Sequence, residues 1–565
     1  MPKKILAKYV DNKDVVQYAA GKDGMVSASH PEASKAGADI LRKGGNAVDA
    51  AAAVVFALNV AEPMMSGIGG SGFMMVHSGE NGKTVVINGH TKAPKAAHPK
   101  LFFDENDEII PFPKRSTSGD AIGVPGTLMS VAKAVEKYGT MSLANVLEPA
   151  ITLAEEGVEV NWVLAHHIEL FEERMSEETK SLFFPNGKPL QKGDTLVQKE
   201  LAKTFRLIQE KGPEVFYKGE IAEAIVSHVQ KWGGKLTKED MADYEATIDE
   251  PVWGEFMEHQ MASCPPPSSG GITTLQILEM LEKLDIEQYK VDSPEKYYYL
   301  SEAMRLAFAD RAAYMGDPDF NDMPIEGMRS PEYIEERIKL IDPEKKNPNI
   351  EFGNPWAYQE GESGKINKKR FERPFGQTTH YAVADKYGNV VSHTLTLEHP
   401  FGSGFLVPEY GLMLNNEVTD FDPEPGGPNE IDGGKRPLSS KTPSILFKDG
   451  KPVLAVGSPG GPTIIASVSQ VVLNVLVYGM TLKDAIDEAR IYNGEYPLQI
   501  WEGGIPLETR EKLKEKDHEW DEEPRGLGIG NVQGIWIDHV HGLFHGACDM
   551  TRQGMPVGID DEDEL

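Results

Sequence analysis

The residues Gly376-Gln377-Thr378-Thr379-His380-Tyr381 place a threonine pair where a threonine can do chemistry. The pair opens an alternating run, AVADKYGNVVSHTLT, that reads as strand, turn, strand. A threonine hydroxyl is a poor nucleophile unless a base sits beside it. One solution is to cut the chain before the threonine, so that its own freed α-amine becomes the base. Threonine is also simply common in strands, so the pair counts only together with other constellations.

Several others are present. Ser458-Pro459-Gly460-Gly461-Pro462 precedes an apolar run that predicts a helix from about Thr463 to Tyr478. Unpaired N–H groups at a helix start point outward, and glycines let a carbonyl approach them. Such a segment is either an ordinary turn and cap or an oxyanion hole, whose donors are worth about 3 kcal/mol in a transition state. Gly67-Ile68-Gly69-Gly70-Ser71-Gly72 has the spacing of a dinucleotide fingerprint, but with a predicted helix before it and a strand after it. That order is the reverse of what a dinucleotide site needs, so close backbone packing is the expectation. Arg436-Pro437-Leu438-Ser439-Ser440 joins a turn-rich loop to a strand, where adjacent serines usually cap turns. Asn415-Asn416-Glu417-Val418-Thr419-Asp420-Phe421 and Thr394-Leu395-Thr396-Leu397-Glu398 complete the set.

Taken with GGNAVDAA and EPMMSGIGGSGFM near the N-terminus, GVPGT at 123–127 and PPPSSGG at 265–271, these motifs run through nearly the whole chain. In that order the sequence resembles the γ-glutamyltransferases, members of the N-terminal-nucleophile hydrolases, with details closest to enzymes of Bacillus-like bacteria. The resemblance implies an α/β/β/α sandwich. It implies self-cleavage between Gln377 and Thr378, giving a large fragment 1–377 and a small fragment 378–565 that stay paired as one folded unit. It implies Thr378 as nucleophile, Thr396 as the residue orienting its hydroxyl, and Gly460 and Gly461 as oxyanion donors. Ser439 and Ser440 then match the contacts to a substrate α-carboxylate. Asp420 matches the contact to its α-ammonium, with Glu417 and Glu398 as further substrate contacts. Neither cofactor nor metal is implied. The substrates would be γ-glutamyl compounds such as glutathione, with water or an amino acid as acceptor.

One position departs from the resemblance. The family pattern has an arginine that clamps the α-carboxylate, whereas this chain reads Asn88-Gly89-His90-Thr91-Lys92-Ala93-Pro94. Arginine is always charged and binds carboxylates through two parallel bonds. His90 would be mostly neutral at pH 7 and offer at most one bond. A charged hydrogen bond is worth about 1.5–3 kcal/mol, which would weaken donor binding ten- to a hundredfold. Lys92 shares a strand face with His90 and is the expected substitute charge. Other acyl groups, glutaryl amides above all, are the second reading, and a non-catalytic relative is the third. The loop from Asp422 to Lys435 is short, which would leave the cleft without a lid and open to γ-linked polyglutamate.

The elements that must position these residues are legible in outline. Gly24–Ala28 predicts a strand, Pro31 to Lys43 and Ala50 to Val60 helices, and 73–76 and 84–87 strands. The span 125 to 340 reads as mostly helical, and 341–377 as an exposed, proline-bearing processing segment. Strands follow at 379–385, 389–397, 444–447, 453–456, 532–538 and 542–548. Periodicity alone supports only a mixed α and β protein. The net charge of −31, from 88 acids and 57 bases, argues against nucleic-acid binding. No run of about 18 apolar residues predicts a membrane span. The first residues, MPKKILAKYVDNKD, lack the apolar core of a secretion signal. The expectation is a cytoplasmic protein or a mature form of a secreted one, the family being commonly secreted or periplasmic. Cys264 and Cys548 are read as free thiols, and the acidic tail Asp560 to Glu564 as a frayed end.

Overall fold

The computed structural model describes residues 4–560 apart from 9, 14, 362, 370–375 and 495–497. Two seven-stranded sheets, each antiparallel throughout, lie face to face. The sheet that carries the threonines runs, in order, Met555–Ile559, Gly24–Ala28, Gln377–Asp385, Val390–Glu398, Ser71–His77, Thr84–Gly89, Thr247–Asp249. The facing sheet runs Tyr18–Gly21, Leu543–Cys548, Gln533–Asp538, Lys451–Gly457, Ser444–Lys448, His259–Ser263, Val252–Phe256. Both sheets mix strands from before and after Gln377.

Burial explains the layering. Met25, Phe73, Met75, Ala382 and Ala384 of the first sheet meet Ile445, Phe447, Ala455 and Ile535 of the second in an apolar seam. The opposite face of the first sheet packs on helices Pro31–Arg42, Ala47–Ala61, Thr127–Tyr138 and Leu143–Glu156. Helices Gly270–Lys283, Pro294–Tyr314 and Thr463–Leu476 cover the second. The α/β/β/α sandwich expected from the resemblance is therefore the fold. The helix Ala47–Ala61 is buried at every residue, as a run apolar all round demands. It starts at a capping box, with Asn46 accepting from the Val48 and Asp49 amides and Asp49 returning a bond to the Asn46 amide.

The strands on either side of the threonine pair form the hairpin read from the sequence, with its turn at 386–388. Alternation gives each face its task. His380, Ala382 and Ala384 point into the seam, where the His380 ring stands against Gly457 of the facing sheet. Thr379 and Tyr381 point to the helices, Tyr381 donating to the Ala51 carbonyl at 2.9 Å and Thr379 to Glu62 at 2.9 Å. The glycines at 67–72 serve close packing, as expected. A Cβ on Gly70 would overlap the Thr396 carbonyl oxygen, and one on Gly69 the Met413 carbonyl oxygen.

Some elements differ from the sequence reading. The middle of the chain, read as mostly helical, also supplies Thr247–Asp249, Val252–Phe256 and His259–Ser263, which close the edges of both sheets. Tyr18–Gly21 and Met555–Ile559 were hidden in polar termini, and each is an edge strand. Edge strands need only one buried face, so their apolar signal is weak. Residues 341–369 are mostly exposed or half-exposed, with one short turn at Pro355–Tyr358, and 370–375 lie outside the described residues, as does all but Asp560 of the acidic tail. Cys264 and Cys548 are buried free thiols. Among the described residues no helix is long and apolar enough to cross a membrane.

Two predictions follow from this packing. Gly70→Ala forces a methyl group onto the Thr396 carbonyl and should destabilise the protein by about 1–3 kcal/mol, read as a lower melting temperature. Burial also holds several histidines neutral: His90 is pushed down to about 4, and His167 and His393 to about 3. An unfolded histidine takes its proton near 6.5, so below that pH the unfolded state binds more protons. The stability these groups contribute is intact above pH 6.5 and falls as pH drops toward 4 or 3. Its slope is about 1.4 kcal/mol per pH unit for each histidine. Urea unfolding at pH 7.5, 6 and 5 should show it, and a flat profile would contradict it.

Candidate active site

The strand bearing Thr378 is not regular at its start. Thr378 pairs with Thr396, while Gln377 pairs with Glu398, so one extra residue, Leu397, bulges out of the partner strand. The Leu397 amide donates to Met65 at 3.0 Å and its carbonyl accepts from Asn416 at 3.1 Å. Bulges re-aim the side chains beside them. Here the Thr396 hydroxyl donates to the Gln377 carbonyl oxygen at 2.7 Å, while accepting from the Glu398 amide at 2.7 Å. Glu398 itself sits at φ +84°, a left-handed conformation that a non-glycine residue adopts only where its surroundings impose it.

Thr378 is buried, 2% exposed, and its peptide link to Gln377 is intact. Arg552 grips both sides of that link, donating to the Thr378 carbonyl at 2.9 Å and to Gln377 Oε1 at 2.6 Å. Two cavities meet at Gly376. The smaller, about 30 Å³, is lined by Thr378, Glu398, Asp420, Ser439, Ser440, Lys441, Gly461 and Arg311 among others. It has room for a water and not for a substrate. The larger, about 190 Å³, is lined by Gln377, Gly460, Trp162, His167, Arg525 and Arg552 among others. Gly460 thus lines the larger cavity with Gln377 and Gly461 the smaller with Thr378, at φ +131° and +58°. Among the described residues neither of their amides is hydrogen-bonded. They lead directly into the helix Thr463–Leu476, whose N-terminal dipole adds to their pull on an anion.

The polar residues of the smaller cavity divide into two sides. On one, Ser440 Oγ accepts from Arg311 at 2.9 Å, Arg311 also donates to Ser269 at 2.8 Å, and Ser439 Oγ accepts from the Lys441 amide at 3.1 Å. On the other, Glu398 and Asp420, with Glu417 buried behind them, bring carboxylate oxygens within 4.8 Å of one another. Burial and the neighbouring Asp420 push the Glu398 carboxyl well above the usual range, so it holds a proton. Burial would push Glu417 up as well, but the Lys441 ammonium, aided by the bond from Ser71, outweighs it and holds Glu417 down at about 2. Ser71 donates to Glu417 Oε2 at 2.6 Å and Lys441 at 3.2 Å. The Lys441 ammonium is the cation this chain itself places beside these carboxylates, paired with Glu417.

His90 and Lys92 are not where the sequence put them. His90 is wholly buried one layer behind the cavity, between Ser71 at 3.0 Å, the Pro437 carbonyl at 2.9 Å and Glu417 at 3.3 Å. Its Nε2 donates to Pro437, desolvation keeps it neutral, and it reaches the cavity only through Glu417. Lys92 lies on another face, near Arg436, Asp317 and Glu245. Burial there lowers the ammonium's proton affinity. The positive charge beside the carboxylates comes instead from Lys441. Its signal was present in the sequence, a lysine directly after the two serines. Arg311 and Arg552 had none, since distant segments bring them in. The short loop after Asp422 is tied down rather than free: Asn367 donates to Asp422 at 3.1 Å and Lys435 to the Glu430 and Pro428 carbonyls at 2.9 and 2.8 Å.

Comparison with known proteins agrees with this geometry. The family model described as Gamma-glutamyltranspeptidase matches residues 33–559. The glutathione hydrolase proenzyme of Bacillus subtilis is 51% identical over 96% of this chain and 92% of its own length. That of Escherichia coli is 39% identical over 98% of this chain and 93% of its own. Among solved structures, a cephalosporin acylase from Bacillus halodurans superimposes with a TM-score of 0.87 at 29% identity, covering 98% of each chain.

The bond from Thr396 to the Gln377 carbonyl generates a prediction. If the chain cuts itself there, that hydroxyl polarises the carbonyl under attack. Thr396→Val should slow the appearance of two fragments on a denaturing gel by about a hundredfold or more, and Thr396→Ser should keep most of the rate.

Proposed function

The chain belongs to the gamma-glutamyltranspeptidase family, and we propose that within it this protein is a self-processing γ-glutamyl hydrolase and transferase. Thr378 is its nucleophile and glutathione-like γ-glutamyl amides are its donors. The observation that supports this best is the convergence of Thr378, Ser439, Ser440, Asp420 and Gly461 on one cavity from four separate segments. The proenzyme names of its relatives fit a chain that must be cut to work.

The first step is maturation. Thr378 Oγ attacks the Gln377 carbonyl, whose oxygen already accepts from Thr396. The C–N bond breaks, the acyl group moves to oxygen as an ester, and water hydrolyses it. The products are a carboxylate on Gln377 and a free α-amine on Thr378. Fragments 1–377 and 378–565 remain interleaved in both sheets. Departure of Gln377 and Gly376 from the link enlarges the small cavity, in which Gly376 now stands.

Turnover then follows with the new amine as base. Thr378 Oγ attacks the γ-carbonyl of the donor and passes its proton to its own amine. The oxyanion is held by the Gly460 and Gly461 amides. The amine returns the proton to the leaving nitrogen, the C–N bond breaks, and a γ-glutamyl ester remains on Thr378. Water or an amino acid enters from the side of the larger cavity and takes the acyl group by the reverse sequence. Ser439 and Ser440, the latter steadied by Arg311, hold the donor's α-carboxylate, and Asp420 and Glu398 face its α-ammonium. Every proton is moved by this chain's own groups or by water.

A second reading, an acylase for amides that lack the amino acid head, is favoured by one observation: position 90 supplies no charge to the cavity.

The decisive test is Thr378→Ala. The variant should remain a single chain of full mass and release no p-nitroaniline from γ-glutamyl-p-nitroanilide, while the parent protein gives two fragments and turns over. A variant that is still cut, or that still works, would sink the mechanism.

A further inference from the structure

The carboxylate side of the cleft carries its own cation. Lys441 follows the two serines in sequence, and its side chain is 4% exposed. Its Nζ lies 3.2 Å from Glu417 Oε2 and 6.0 Å from the centre of the Phe73 ring. Glu417 Oε1 meets no hydrogen-bond donor among the described residues, so Lys441 is the principal counter-ion to a carboxylate buried at 0% exposure. The other cation lining this cavity, Arg311, is on the serine side, bonded to Ser269 and Ser440. The two positive groups are therefore separated: a guanidinium behind the serines, an ammonium among the acids.

The acids are the groups that would recognise a donor's α-ammonium, an assignment that rests on the reading given under Proposed function. Their attraction for an incoming ammonium depends on the charge left uncancelled. Burial and Asp420 favour the protonated form of Glu398, and Glu417 is paired with Lys441. Asp420, hydrogen-bonded to Glu398, lines the cavity with the same fixed ammonium beside it. Like charges in so dry a place repel, because little water screens them. A donor that lacks the α-amino group meets neither the attraction nor the repulsion.

We propose that Lys441 is a specificity-determining residue: its ammonium lowers the preference of this cleft for donors with an α-ammonium, so that glutaryl-type amides are accepted beside γ-glutamyl amides. Thr378, the oxyanion amides and the serines act identically on both classes, and the difference lies in ground-state recognition of one amino group.

The test compares γ-glutamyl- and glutaryl-p-nitroanilide in the processed parent enzyme and in Lys441→Gln and Lys441→Arg. Gln keeps a donor for Glu417 and removes the charge. The ratio of kcat/KM, γ-glutamyl over glutaryl, should rise at least tenfold in Lys441→Gln, mainly through a lower KM for the γ-glutamyl donor. It should stay within threefold of the parent value in Lys441→Arg. A ratio that is unchanged or lower in Lys441→Gln overturns the proposal. A second measurement needs no variant. L-Glutamate and glutarate should inhibit the parent enzyme with constants within tenfold of each other, and a hundredfold advantage for glutamate overturns the proposal even if Lys441→Gln fails to fold. Parent enzyme that turns over neither anilide would refute both this inference and the function on which it rests. Turnover of γ-glutamyl anilide with no response to position 441 would refute the inference alone.

Discussion

The register of one hairpin governs this protein. With Thr378 opposite Thr396, the Thr396 hydroxyl meets the carbonyl just before Thr378, and the bulge at Leu397 turns Glu398 toward the cavity. A slip of one residue would exchange the two faces of the strand, sending Thr378 toward the helices and Thr379 into the cleft. The structure guards against this from both sides. Tyr381 and Thr379 are bonded on the helical face, His380 packs on Gly457 in the seam, and Gly70 lies on the Thr396 carbonyl with no space for a side chain. The glycine-rich turn, which has no part in the chemistry, is thus needed by it.

Around that register the protein arranges charge rather than shape. A cavity that would recognise a zwitterionic head group must keep acids and cations apart without letting them neutralise one another. Here the serine side is backed by Arg311 and the acid side by Lys441, with His90 kept neutral between Glu417 and the Pro437 carbonyl. With His90 neutral, the positive charge on Glu417 comes from Lys441, which leaves the buried carboxylate compensated, as a buried charge requires.

Much of this was legible in the sequence, for physical reasons that differ by element. The hairpin and the helix Ala47–Ala61 declared themselves through alternation and through unbroken apolarity, since each is buried where its pattern says it should be. The glycines at 67–72 could be read as packing residues because the order of helix and strand excluded the alternative. The layered architecture and the roles around Thr378 came from the resemblance, not from periodicity, which cannot tell two facing sheets from one. The edge strands Tyr18–Gly21 and Met555–Ile559 were illegible because one exposed face dilutes their pattern. Lys92 misled because a shared strand face predicts direction only within a strand, and this strand ends at Gly89. Arg311 and Arg552 stayed hidden because residues far apart in sequence bring them to the site.

The weave of the two sheets has a consequence for what the word subunit means here. Strands from residues 377–398 lie between Gly24–Ala28 and Ser71–His77, and strands from the last third of the chain are bonded to Tyr18–Gly21 and His259–Ser263. A cut before Thr378 breaks one covalent bond and leaves every one of these ladders in place. The pieces then meet over no surface patch that either could expose to solvent while remaining folded. Their affinity has no value separate from the stability of the whole. Were the chain cut there, separating the two pieces would mean pulling both sheets apart.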